Sequence, residues 1–327
     1  MRIAVTGATG FVGGAIADHL ASQGHEVLAI GRRPRPEGFA HDYVSWDLAT
    51  DTPAPPGLAA CDAVVHAAAH VTPWGPDAPF RSVTFGGTER LLRAIDPAAR
   101  LVLIGSASVY DPRVPHDRAR EPEAPVAPER YLNAYGRAKA DQERLVLATR
   151  PDTVVLRPRA VWGPGDTTLM PRIFARVRRG RLPLPDGGRH PMSATHVSSL
   201  TAAVAAAIER QGVAGPVNVA DATPTTAAGL LGTVFEALEM RVRIVAIPAP
   251  LTWAAAAAAE TVWRLARRTD EPPVTRFAVA GLARAFTLDL TRLNRELGVH
   301  PDIDVGRAAE QLAVTARPDY AATRSSR

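Results

Sequence analysis

The chain contains a single lysine. Lysine and arginine together number 38 among 327 residues, yet only Lys139 is a lysine. Cysteine is as scarce. Cys61 stands alone, which excludes an internal disulfide and is compatible with a reducing compartment. No apolar run approaches the ~20 residues that a membrane-spanning helix needs. Net charge is only +5, and the arginines are scattered rather than striped along one helix face, which argues against a nucleic-acid surface. The start, Met1-Arg2-Ile3-Ala4-Val5, enters a strand-like run at once and lacks the apolar core of a signal peptide. A cytoplasmic protein is expected. What is present is ordinary for a globular protein, with 46% hydrophobic and 22% charged residues. The length suffices for a large α/β core or two domains.

The one lysine follows Tyr135 by four residues in Tyr135-Gly136-Arg137-Ala138-Lys139. On a helix, i and i+4 share a face, so the ammonium can stand beside the phenol. A phenol ordinarily titrates near ~10. A neighbouring cation favours phenolate, so the spacing predicts a lowered Tyr135 pKa and acid/base chemistry there.

The N-terminal segment reads as a dinucleotide-binding unit. Ile3-Ala4-Val5 is a short strand, Thr6-Gly7-Ala8-Thr9-Gly10-Phe11-Val12-Gly13 a glycine-rich turn, Ala15 to Leu20 a helix that Gly24 stops, and Val27 to Ile30 a second strand. Glycines at 7, 10 and 13 let the backbone turn tightly and approach a pyrophosphate at the helix N-terminus. The second strand ends in Ile30-Gly31-Arg32-Arg33. Sites that prefer NAD usually place a carboxylate there for the ribose 2′-hydroxyl. Two arginines suit a 2′-phosphate instead, so NADP(H) is the expected cofactor, with NAD(H) possible. Asp47 is placed to accept from the adenine amino group, with Leu48 near the ring. Ala63 to Ala69 reads as a buried strand whose small residues Ala67, Ala68 and Ala69 admit the cofactor. His66 and His70 have a metal-like spacing, but they straddle a strand end and no further ligand completes a set. No metal is expected, and His70 is a candidate for the substrate site.

A third apolar strand, Leu101 to Gly105, delivers Ser106-Ala107-Ser108-Val109-Tyr110, and Thr153 to Pro158 leads into Ala160-Val161-Trp162-Gly163-Pro164-Gly165-Asp166. With these motifs the chain resembles the extended short-chain dehydrogenase/reductase family over nearly its whole length. The carrying positions are the Thr6–Gly13 loop, Asp47-Leu48, His66 to Ala69, Ser106, Tyr135 with Lys139, and Leu156 to Asp166. The resemblance implies an α/β Rossmann-type doubly wound parallel sheet with a smaller C-terminal α/β substrate part. Residues 1–160, with return segments at about 193–219, would form the nucleotide domain; 161–192 and 220–327 would form the substrate part. It implies Tyr135 as general acid/base, Lys139 as the group that lowers its pKa and holds the nicotinamide ribose, and Ser106 as the hydroxyl that orients the substrate oxygen. Cofactor contacts would come from Gly7, Thr9, Gly10, Phe11, Val12, Arg32, Arg33, Asp47, Leu48, Ala67, Ala68, Ala69, Pro158 and Val161, besides Tyr135 and Lys139. Ser108, His70 and Trp162 are candidate substrate contacts.

Three positions depart from the family pattern. Thr84 stands where many members have an asparagine, which puts a helix-bracing contact in doubt. Ala160 replaces an asparagine that helps sugar-nucleotide enzymes hold a diphosphate. Ser198 and Ser199 replace usual aspartates. Residues 193–208 read as a helix returning to the nucleotide domain, 217–220 as an edge strand and 226–238 as a helix. The Ala-rich stretch Leu251 to Arg268 reads as a lid or packing helix, with weak membrane-surface association as an alternative. Pro272 to Phe277, Phe286 to Asp289 and Leu297 to Val299 resemble the 3β-hydroxysteroid dehydrogenase-like branch, which implies a small hydrophobic substrate, sterol-like or a β-keto/β-hydroxy acyl compound. The family also suggests a homodimer. The leading expectation is an NADP(H)-dependent oxidoreductase acting on a carbonyl or secondary alcohol. The alternatives are a sugar-nucleotide epimerase or dehydratase with tightly bound NAD, and a non-catalytic cofactor-binding protein.

Overall fold

Strict alternation of apolar side chains builds the centre of the molecule. In the computed structural model, which describes residues 1–324 in backbone and 1–315 in side chain, seven strands form one parallel sheet. They are β1 (Arg2–Thr6), β2 (Glu26–Gly31), β3 (Asp42–Ser45), β4 (Ala63–His66), β5 (Arg100–Ile104), β6 (Val154–Pro158) and β7 (Gly215–Val219). Their order is β7-β6-β5-β4-β1-β2-β3, the doubly wound dinucleotide-binding order with one further edge strand. Ile3, Val5, Val65, Val102, Val154 and Leu156 point to one face, where they meet Ile16 and Leu20 of α1 (Phe11–Ser22) and Leu200 and Val204 of a helix at Val197–Glu209. Ala4, Val64, Leu101, Leu103 and Val155 point to the other, against Leu91 of α2 (Gly87–Ala94) and Val146 of α3 (Ala134–Thr149). Period-two alternation on a sheet covered on both sides buries every residue of the central strands β4, β5 and β6.

The returning helix is shorter than the sequence suggests. It starts at Val197, because Thr195 and His196 are drawn into parallel pairing with Val161 and Trp162, and the His196 side chain caps the helix by accepting from Ser198 N. A second hydrophobic cluster lies beyond the sheet's C-terminal edge. There Leu230, Leu231, Val234 and Phe235, on a helix at Ala227–Ala237, pack with Ala309 and Leu312 of the last helix, Val305–Arg324. The Ala-rich helix spans Ala249–Leu265 and stacks on a shorter helix at Arg276–Leu282. Among the described residues, no helix is long and apolar enough to cross a membrane.

One buried ion pair locks α3 to the sheet. Glu143 of α3 meets Arg157 of β6, both essentially without solvent contact, with Arg157 Nε donating to Glu143 Oε2 at 3.0 Å. The same guanidinium donates to the carbonyls of Glu121 and Ala124, each at 2.9 Å, and so ties down the loop before α3. Removing one partner of a buried pair strands the other charge, typically at a cost of about 3–5 kcal/mol. Glu143→Ala should therefore lower the unfolding free energy in urea by roughly 3 kcal/mol. A loss below about 1 kcal/mol, the size of a surface pair, would contradict this role.

Candidate active site

The glycine-rich turn is shaped for close approach by a phosphate. Gly7 has φ of +71°, and a Cβ there would lie 2.9 Å from Ala68 N. A Cβ on Gly13 would lie 2.2 Å from Gly7 O, so α1 can only start this near the loop as glycine. Gly10, the N-cap of α1, offers no side-chain cap, which leaves the first-turn amides open to an anion. The residues present fit a dinucleotide pyrophosphate.

A cavity of about 850 Å³ runs from this turn across the C-terminal ends of β1, β4, β5 and β6. Gly7, Thr9, Gly10, Phe11 and Val12 line its nucleotide end, followed by Arg32 and Arg33 after β2, Asp47 and Leu48 after β3, and Ala67 to His70 after β4. Ser106, Ser108, Tyr135, Lys139, Pro158 and Val161 line its middle. The far end is mostly apolar, with Leu182, Met192, Leu230, Leu231 and Phe277 among its walls, and also carries Arg159, Arg172, Arg176 and Glu271. Every residue expected at the site therefore borders the cavity, except Trp162. That ring is fully buried and stands edge-on to His196 at 5.0 Å. Successive residues of an extended segment face opposite sides; Val161 takes the cavity side and Trp162 the core. The Ala249–Leu265 helix contributes no wall either and packs outside the Arg276–Leu282 helix, which does.

Two local features place Tyr135. Asn133 caps α3 by accepting from Gly136 N at 3.0 Å. A Cβ on Gly136 would meet Ser108 O at 3.1 Å, so the helix begins against the Ser106–Ser108 turn. Ser106 lies close enough to act on the phenol, and its Oγ accepts from Ser108 N at 3.1 Å. The expected effect of Lys139 on the phenol is not seen. Burial raises the Tyr135 pKa above its ordinary value, opposed by Ser106 and by Arg172. The ammonium turns away instead, donating to Ile104 O at 2.8 Å and Gln142 Oε1 at 3.0 Å. Burial pushes Lys139 itself down to about 7, with Glu143 acting in the opposite sense.

Behind Lys139 runs a chain of buried hydrogen bonds whose proton positions are fixed by counting. Thr88 Oγ1 donates to Thr84 O at 2.6 Å, so its other two contacts must be acceptances, from Gln142 Nε2 at 2.8 Å and His66 Nε2 at 2.9 Å. His66 Nδ1 then accepts from Thr6 Oγ1 at 2.8 Å, which in turn accepts from Ala68 N at 3.1 Å. Burial, with Lys139 nearby, pushes His66 down to about 3, in keeping with this neutral tautomer. The chain links the glycine-loop strand, the end of β4, α2 and the catalytic-candidate helix. Thr84 answers the doubt raised by the missing asparagine, since its own Oγ1 accepts from His70 N at 3.0 Å within a seven-residue π-helix, Phe80–Gly86. His70 lies edge-on to Phe80 at 4.7 Å. Ser108 Oγ is buried at the cavity with no partner among the described residues.

Sequence reasoning missed Thr6, Thr88 and Gln142 as supports, although Gln142 lies three residues after Lys139 and so on its face. It also missed Arg159, which borders the cavity directly after β6.

Comparison with known proteins agrees with this geometry. Residues 3–220 match the NAD dependent epimerase/dehydratase family. The 2-alkyl-3-oxoalkanoate reductase of Stenotrophomonas maltophilia is 30% identical, across 95% of this chain and 98% of that protein. A 4-hydroxy-2-methyl-3-oxo-4-farnesyl-3,4-dihydroquinoline-1-oxide ketoreductase of Stigmatella aurantiaca is 31% identical, across 97% and 95%. The fold is shared with UDP-glucuronic acid 4-epimerase from Bacillus cereus in complex with NAD, at a TM-score of 0.74 and 18% identity, covering 98% of this chain and 100% of that one. The chain thus belongs to the NAD dependent epimerase/dehydratase family, the extended short-chain dehydrogenases/reductases, and is an NAD(P)-dependent oxidoreductase.

Proposed function

We propose that the protein is an NADP(H)-dependent ketoreductase that interconverts a carbonyl and a secondary alcohol on a hydrophobic small molecule. The observation that carries this is the meeting of Ser106, Tyr135 and Lys139 midway along one cavity, between a phosphate-binding turn and an apolar far end. The two curated relatives described above are both named as reductases of oxo compounds. Ala160 at the cavity wall lacks the amide that would help hold a sugar-nucleotide diphosphate, which counts against the epimerase alternative. The substrate side would come from segments 161–192 and 220–327.

The glycine turn, Asp47, Leu48, Ala67 to Ala69, Pro158 and Val161 would hold the dinucleotide, which when bound supplies the hydride. The chain's own groups manage the oxygen. Ser106 Oγ donates a hydrogen bond to the carbonyl oxygen and orients it. Tyr135 Oη releases its proton to that oxygen as charge develops there, and recovers one in the reverse direction. Lys139, held by Ile104 and Gln142, lines the cavity one helical turn from Tyr135 and would hold the nicotinamide ribose. Apolar walls exclude water and hold the carbonyl in register.

Support for NADP(H) comes from the end of β2. Arg32 and Arg33 are exposed on the cavity rim, and no carboxylate among the described residues forms an ion pair with them. A side chain at Gly31 would meet Tyr43 Oη at 2.4 Å, and that phenol is tied down by donating to Arg33 O at 2.5 Å. A ribose-binding carboxylate is therefore disfavoured at position 31, and the two free guanidinium groups suit a phosphate.

Three outcomes follow. Tyr135→Phe should cut turnover roughly 10²- to 10⁴-fold while NADPH binding by fluorescence titration stays close to wild type; undiminished turnover would exclude Tyr135 as the acid. Arg32→Ala should weaken NADPH by at least about 10-fold and NADH far less, and equal losses would make the arginines mere surface charge. Lys139 should also mark the nucleotide-free protein. Its ammonium titrates at about 7 in the fold against about 10.4 in an unfolded chain. Between those values the unfolded chain holds the extra proton, so this group's contribution to stability rises with pH. Lys139→Met should flatten that rise in urea unfolding from pH 7 to 10; an unchanged slope would place the lysine's pKa near its ordinary value.

A further inference from the structure

The end of the cavity away from the nucleotide turn holds a cation with no carboxylate partner among the described residues. Arg159 follows β6 directly and donates through Nη1 to Ser193 O at 3.0 Å and through Nη2 to Gly281 O at 2.8 Å. Its guanidinium carbon lies 4.5 Å from the centre of the Phe286 ring. All of these partners are neutral. Among the described residues no carboxylate forms an ion pair with it, whereas the other two arginines at this end of the cavity, Arg172 and Arg176, both meet Glu271. Burial alone accounts for its pKa, held down to about 10, so it remains a cation at neutral pH. What solvent contact it keeps is partial, and it borders the cavity. Charges taken into a protein interior are normally paired. Two of five guanidinium donors are spent on carbonyls, and the others remain for an anion.

Position links this cation to the reacting centre. β5 and β6 are neighbouring parallel strands, with Ile104 opposite Leu156. Ser106 follows β5 and Arg159 follows β6, on neighbouring strands about 4.8 Å apart. Ser106, Tyr135 and Arg159 border one cavity, so one molecule can present a carbonyl to Ser106 and Tyr135 and an anionic group to Arg159, while the apolar walls at Leu182, Met192 and Leu230 take an alkyl body.

Resting on the ketoreductase assignment above, we infer that the substrate is an oxo acid: an alkyl ketone, or its alcohol, that carries a free carboxylate paired with Arg159. Arg159 thereby sets specificity for the acid over neutral ketones, esters and amides. Arg159 also bridges Ser193 and Gly281, so a purely structural role has to be separated from this one. That role would change stability without changing the choice between acid and neutral analogue.

The test uses the protein saturated with NADP⁺ and two non-reacting probes of equal length, dodecanoate and dodecanamide, titrated by calorimetry. The acid should bind at least about 10-fold tighter than the amide, as expected for a hydrogen bond to a charged group. Arg159→Met should abolish that preference, and Arg159→Lys should retain part of it; urea unfolding of both variants reports whether they are folded. The wild-type comparison stands without either variant. Equal binding of acid and amide to wild type, or an acid preference that survives Arg159→Met, would overturn the inference. The two levels can fail separately. Arg159-dependent acid binding with no NADPH-linked turnover of any ketone would sink the ketoreductase assignment alone. Turnover of a 3-oxo acid and its methyl ester at equal kcat/KM would sink the carboxylate site alone.

Discussion

The active-site geometry depends on how α3 is held against the sheet. Glu143 and Arg157 form that attachment in the dry interior. Glu143 lies one turn beyond Lys139 on the same helix, and Arg157 lies two residues before Arg159 at the end of β6. The one pair therefore fixes the axial position of the Tyr135–Lys139 face and the point where β6 opens into the cavity. Its remaining donors secure the loop that bridges the Ser106 turn and α3. Tyr110, Asn218 and Asp289 extend the lock to β7 and the C-terminal part: Tyr110 Oη donates to Asn218 Oδ1 at 2.8 Å, and Asn218 Nδ2 donates to Asp289 O at 3.2 Å.

A second constraint joins the nucleotide turn to α3. The run from Thr6 through His66, Thr88 and Gln142 to Lys139 crosses from the nucleotide turn to the reacting centre entirely through buried hydrogen bonds. A fully satisfied network of this kind rigidifies what it connects. The charged end of the run is the chain's only lysine, whose compact ammonium fits between a backbone carbonyl and an amide oxygen. A planar guanidinium would not be a conservative replacement there. The apolar end of the cavity carries the contrasting case, a guanidinium balanced by carbonyls and a ring alone.

Much of this was legible from short-range pattern. The sheet and the glycine turn announce themselves within a few residues, because alternation and φ requirements are local. Tyr135 and Lys139 are four residues apart on one helix, so their common face follows from spacing alone. What escaped detection depended on distant partners or on facing. Arg159 draws its meaning from Ser193 and Gly281, 34 and 122 residues away. Trp162 was expected at the substrate and lies in the core, since a two-residue pairing with Thr195 and His196 decides which neighbour faces inward. The spacing predicts a lowered Tyr135 pKa, but burial raises it and Lys139 does not oppose the rise, because proximity along a helix does not say where a flexible ammonium points; Ile104 O captures it.

Isotope transfer distinguishes direct carbonyl reduction at the Ser106–Tyr135 wall from epimerase chemistry. The protein would be given a 3-oxo acid and NADPH deuterated at C4 of the nicotinamide on the transferring face, and the product analysed by mass spectrometry. One deuterium at the new carbinol carbon, with stoichiometric loss of NADPH, is the predicted result. An altered product with no deuterium gained and no NADPH consumed would contradict the account and point to epimerase chemistry on a retained nucleotide.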